Sequence, residues 1–79
     1  MCNMTETTVE SIFGVNAGIV WEALNEKGPC TIAELARITS LSREEVHGAL
    51  GWLGRENKIS AKMGEGVRGR RATVFSLQP

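Results

Sequence analysis

A mainly α-helical domain finished by a β-hairpin is the fold class the sequence predicts. The prediction rests on two capping boxes in close succession, a change of hydrophobic period after Asn57, and a glycine-rich break between two alternating runs. Three helices followed by a two- or three-stranded antiparallel sheet, in that order, make a winged helix-turn-helix.

The first helix is expected over about Ser11 to Asn25, with Ile12, Phe13, Ala17, Val20, Ala23 and Leu24 in helical spacing, ending before Gly28-Pro29. Gly14, Asn16 and Gly18 weaken its start. Thr31-Ile32-Ala33-Glu34 is a T-x-x-E capping box that opens a short helix over roughly Ile32 to Thr39. Only Ser40 and Leu41 precede a second box, Ser42-Arg43-Glu44-Glu45, which opens a helix carrying Val46, Ala49, Leu50 and Leu53 on one face and ending near Asn57. Ile59, Ala61 and Met63 then alternate with Lys58, Ser60 and Lys62. The stretch Gly64 to Arg71 forms a long basic tip before Ala72 to Leu77, where Thr73, Phe75 and Leu77 share the face that covers the helices. Residues 1–10 read as a flexible N-terminal arm and 11–79 as one winged helix-turn-helix domain.

A chain of 79 residues, 42% hydrophobic and 23% charged, is globular in composition but has room for one core only. A core of that size rarely supplies more than about 3–5 kcal/mol without a disulfide, a metal or a partner subunit. Cys2 and Cys30 make no C-x-x-C pair, which excludes a disulfide framework. His47 is the sole histidine, so no four-ligand zinc set with its usual spacing is present. Neither a secretory leader nor an apolar run of about 20 residues is visible, which places the protein in a reducing cytoplasm, away from membranes. Oligomerisation is the staple that remains, and no cofactor, metal or small-molecule ligand is called for.

One histidine also leaves few nucleophile–base pairs, and His47 with Glu44 is a helix-surface pair, so an enzyme is not expected. The glycines at 64, 66 and 69 are followed by no Gly-Lys-Ser/Thr and join two strands, unlike a phosphate-cradling loop.

Net charge is zero, yet its distribution is uneven. Residues 1–40 hold Lys27 and Arg37 against Glu6, Glu10, Glu22, Glu26 and Glu34; residues 55–79 hold Arg55, Lys58, Lys62, Arg68, Arg70 and Arg71 against Glu56 and Glu65. A basic end on a neutral chain points to a local anionic partner. The third helix is where this architecture normally reads base edges. Its outward side carries Glu44, His47, Gly48, Gly51, Trp52 and Arg55, with Arg43 in the first turn. Arg43 and His47 can donate to guanine or phosphate, Glu44 and Glu45 repel phosphate, and Gly48 and Gly51 permit close approach of a partner. Lys62, Arg68, Arg70 and Arg71 suit phosphates or a narrow minor groove, or else solubilise the hairpin tip.

Apolar side chains on the first helix span an arc of about 200°, from Ile12 and Ile19 through Val20, Phe13 and Leu24 to Ala17 and Trp21. One small domain covers about half of that, leaving Ile12, Phe13, Ile19 and Trp21, with Trp52, as candidates for a subunit interface. For both tryptophans, packing within the chain is the competing reading.

Residues 14–77 resemble a family of small stand-alone winged helix-turn-helix proteins of prokaryotes. The resemblance is carried by Asn16-Ala17-Gly18-Ile19-Val20-Trp21-Glu22-Ala23-Leu24 and by Val46-His47-Gly48-Ala49-Leu50-Gly51-Trp52-Leu53-Gly54-Arg55-Glu56-Asn57-Lys58-Ile59. It implies a winged-helix fold, often homodimeric, with DNA binding by analogy. The longer glycine- and arginine-rich tip departs from that pattern. The expectation is therefore a homodimer that binds double-stranded DNA, as a transcription regulator or chromatin-associated factor. A protein–protein docking module is the alternative, since winged helices serve both ends.

Overall fold

The computed structural model describes residues 8–65 and 71–78, with the side chains of Glu10, Glu65 and Arg71 outside that description. The order of elements is a π-helical turn Glu10–Gly14, α1 Val15–Lys27, β1 Cys30–Thr31, α2 Ile32–Thr39, α3 Arg43–Arg55, β2 Ile59–Glu65 and β3 Arg71–Leu77. Three helices and a three-stranded antiparallel sheet of order β1-β3-β2 give the winged helix-turn-helix.

Local chemistry sets each helix boundary. Before the first helix, the Thr8 hydroxyl accepts from the Ser11 amide at 3.0 Å, and the wider π turn follows before the chain settles into α1 at Val15. At the other end Gly28 takes a positive φ of 81°, its N–H donating to the Leu24 carbonyl at 2.9 Å, and Pro29 prevents continuation. Both capping boxes are complete. The Glu34 amide donates to Thr31 Oγ1 at 3.2 Å while the Thr31 amide donates to Glu34 Oε1 at 2.8 Å. The Ser42–Glu45 pair repeats this at 3.1 and 2.8 Å. Ser40, with φ 62°, ends α2 in the left-handed region. Asn57, with φ 59°, closes α3 in a Schellman arrangement in which the Lys58 amide donates to Leu53 and the Asn57 amide to Gly54.

The core gathers Ala17, Val20, Ala23 and Leu24 from α1, Leu35 from α2, and Val46, Ala49, Leu50 and Leu53 from α3, closed by Cys30 and Ile59. Phe75 and Leu77 of β3 pack onto it, as the alternation predicts, paired across the sheet with Ala61 and Ile59. β1 is the strand that periodicity does not reveal: its two residues pair Cys30 with Phe75 and Thr31 with Val74, tying the α1–α2 connection to the hairpin. Among the described residues no polar or charged side chain is buried. No described helix is long and apolar enough to cross a membrane.

Candidate nucleic-acid interface

The amino end of α3 is held by the Ser42 cap, which spends the Glu45 carboxylate on the Ser42 amide and directs Arg43 and Glu44 into solvent. One turn on, His47 Nδ1 lies 2.9 Å from the Arg43 carbonyl. A carbonyl only accepts, so the bonded tautomer carries its proton on Nδ1, leaving Nε2 outward as an acceptor when the ring is neutral and a donor when it is charged.

At about 100° per residue, Arg43, His47, Gly51 and Gly54 fall on one exposed arc of α3, with Glu44 and Arg55 at its edge. Nothing lies within 4 Å of where a Cβ on Gly51 or Gly54 would stand, so backbone is bare between the basic side chains. Lys58 and Glu56, 3.6 Å apart, form the sole ion pair among the described residues, which leaves Arg43, Arg55 and Lys62 without a salt-bridge partner there. Lys62 is exposed on β2, opposite Val74 of β3. Arg68 and Arg70 lie outside the described residues; Arg71 is placed by its backbone, which pairs with Glu65.

Gly48 differs from its neighbours on the helix. A Cβ there would stand 2.5 Å from the Phe13 ring, so the space its missing side chain leaves is taken up within the protomer. Phe13 is accordingly half-buried against α3. Trp21 and Trp52 also pack on the core and line one cleft of about 400 Å³ between α1 and the carboxyl end of α3. Ile12 and Ile19 remain exposed at 44% and 40%, joined by Val9 at 61% and Val15 at 58%. The five apolar residues read from sequence as one interface thus separate into an exposed ridge, an internal contact and a cleft. Val9 and Val15, the most exposed members of the ridge, escaped the sequence reading for different reasons: Val9 precedes the helix expected from Ser11, and Val15, inside that helix, falls outside the apolar arc of a regular helical wheel.

Among the described residues no cluster of three His, Cys, Asp or Glu side chains is placed to hold a metal. Cys30 is a core residue: burial pushes its thiol up from the ordinary range, the Glu34 charge adds to this, and Arg37 and Lys27 oppose it. Its Sγ donates to the Gly28 carbonyl at 3.3 Å. A protonated, enclosed thiol is a poor redox centre.

The profile of the DUF2582 family, described as a winged helix-turn-helix domain, matches residues 4–69. The solution structure of protein BT2368 from Bacteroides thetaiotaomicron is similar, with 40% identity over 89% of this chain and 79% of that one, at a TM-score of 0.76. Two further structures are alike in fold alone, each at a TM-score of 0.69. The Zalpha domain of Carassius auratus PKZ, solved in complex with Z-DNA, is 17% identical over 82% of this chain and 95% of that one. Stf76 from the Sulfolobus islandicus plasmid-virus pSSVx is 24% identical over 78% and 79%. No curated protein matches the chain.

Proposed function

The chain belongs to the DUF2582 family of winged helix-turn-helix domains, and on that premise we propose that it binds double-stranded DNA as a homodimer. Its role in this reading is that of a transcription regulator or chromatin-associated factor in the cytoplasm, with no catalytic activity. The observation that carries the proposal is the exposed arc of α3, where Arg43 and His47 border the bare backbone of Gly51 and Gly54. Cations beside unobstructed backbone suit a phosphodiester chain, which needs both charge and close approach. Lys62 on β2 and the arginines at 68, 70 and 71 extend the positive charge along the hairpin. A domain of the same fold solved with Z-DNA supports the use of this architecture on a duplex.

The ridge of Val9, Ile12, Val15 and Ile19 is the proposed dimer contact. Its four side chains are the exposed apolar groups of the first helical segment, and association would add stability to a small core by mass action. Trp21, Trp52 and Phe13 contribute to the folded protomer instead.

Anisotropy titration of random-sequence duplex at about 50 and 200 mM salt tests the function. The slope of log K against log salt is expected to equal about −0.9 for each phosphate contacted. Absence of binding at the lower salt transfers the assignment to a protein-docking module. For the assembly, Val15→Glu combined with Ile19→Glu is expected to convert a dimer to a monomer in sedimentation at micromolar protein while helix content is kept. A monomeric parent protein removes the dimer from the reading.

A further inference from the structure

The cleft between α1 and the carboxyl end of α3 holds features that neither the core nor the DNA-facing arc requires. Gly18 lines it from α1, exposed and in mid-helix, where glycine costs stability, yet no other side chain or neighbouring element comes within 4 Å of the position a Cβ would take. Packing within the chain therefore does not demand a glycine; the space it leaves belongs to the cleft. Both tryptophans of the chain line that space, each half-buried on the core.

Charge decides what kind of group the cleft suits. Glu22 and Glu56 border it, and Lys58 is taken up by Glu56 at 3.6 Å, so Glu22 has no salt-bridge partner among the described residues. The carboxyl end of α3 adds the negative pole of its dipole. Indole rings attract cations through their faces, and a planar guanidinium both stacks on indole and presents paired donors to a carboxylate. An anion is repelled here, and a purely apolar side chain leaves Glu22 unused.

We propose that the cleft between Trp21 and Trp52 is a docking site for an arginine side chain from a basic segment of a partner protein. Trp52 stands well round α3 from Arg43 and His47, about 140–180° by the helical repeat, so the cleft and the proposed DNA arc can be occupied together. The site does not depend on the DNA reading.

The chain has two tryptophans and no tyrosine, so its intrinsic fluorescence reports the cleft directly. The full chain is titrated with a short peptide bearing one arginine and with the same peptide carrying citrulline, the uncharged isostere. A saturable change in emission with the arginine peptide alone is expected. Glu22→Gln should weaken it by about two- to fivefold, the range of one exposed ion pair. Gly18→Leu should abolish it by occupying the cleft from α1, and Gly18→Ala, which favours the helix, should reduce it. Both glycine variants should keep parental circular dichroism and duplex affinity. Equal response to citrulline, indifference to Glu22→Gln and Gly18→Ala, or an emission change that follows only dilution of the protein, which marks a second copy in the cleft, would each overturn the proposal.

Discussion

Leu35→Ala is expected to bring the protomer close to its unfolding midpoint at room temperature. Leu35 is wholly enclosed, with Val20 and Val46 the other large side chains fully removed from solvent, and it is the one fully buried side chain of α2, where Ile32 and Ala36 pack on the core only in part. Truncating a buried leucine removes its transfer free energy and leaves a cavity, which costs about 2–5 kcal/mol. A single core in a chain of this length provides about 3–5 kcal/mol, so the loss is comparable with the whole margin. Urea unfolding followed by circular dichroism should show the midpoint collapse with little change in slope. Ile38→Ala, on the same helix but exposed, supplies the control and should cost a small part of that. Equal losses for the two variants would mean that α2 is not anchored as described. If the protein dimerises, the midpoint of Leu35→Ala should also rise with protein concentration, because association draws on the folded protomer.

The parts of this fold that were legible in the sequence are those whose causes are local. A capping box is closed by side chains three residues apart, so the starts of α2 and α3 could be read from Thr31-Ile32-Ala33-Glu34 and Ser42-Arg43-Glu44-Glu45, and both boxes form. The hairpin follows from the period-two alternation after Asn57, and Phe75 and Leu77 meet the core on the face that alternation assigns. Contacts between distant segments left no such trace. β1 is two residues long and acquires its identity only from Phe75 and Val74, far along the chain. The fit of Phe13 into the space left at Gly48 is likewise invisible in a helical wheel, which places Gly48 toward solvent. A glycine inside a helix does not by itself say whether anything comes close. Here Gly48 meets a ring of its own chain, whereas Gly18, Gly51 and Gly54 meet nothing within 4 Å. That division separates the glycine that packing within the chain requires from those it does not.

A second large effect is expected when Arg68, Arg70 and Arg71 are replaced together by alanine. On the DNA reading, the duplex meets the protein through two groups of cations of different kind. Those of the third helix are few: Arg43 and His47 stand beside Glu44, whose charge opposes phosphate, while Glu45 is engaged in the cap. Those toward the hairpin are Lys62 and the three arginines, opposed in sequence by Glu65 alone. Most of the electrostatic affinity should therefore come from the hairpin. Losing three phosphate contacts flattens the slope of log K against log salt by about 2.7 and weakens binding to every sequence alike. Arg43→Ala and His47→Ala should act differently. Each removes a side chain placed to reach base edges, so the loss should fall on preferred sequences, at about 1–3 kcal/mol per base contact, with a smaller change in slope. The two sets of variants thus separate positioning from reading in one pair of titrations. If the triple variant binds random duplex with the parental affinity and slope, the basic tip serves solubility and the α3 arc must carry the affinity unaided. If the Arg43 and His47 variants lose affinity uniformly, α3 grips phosphate and reads no bases.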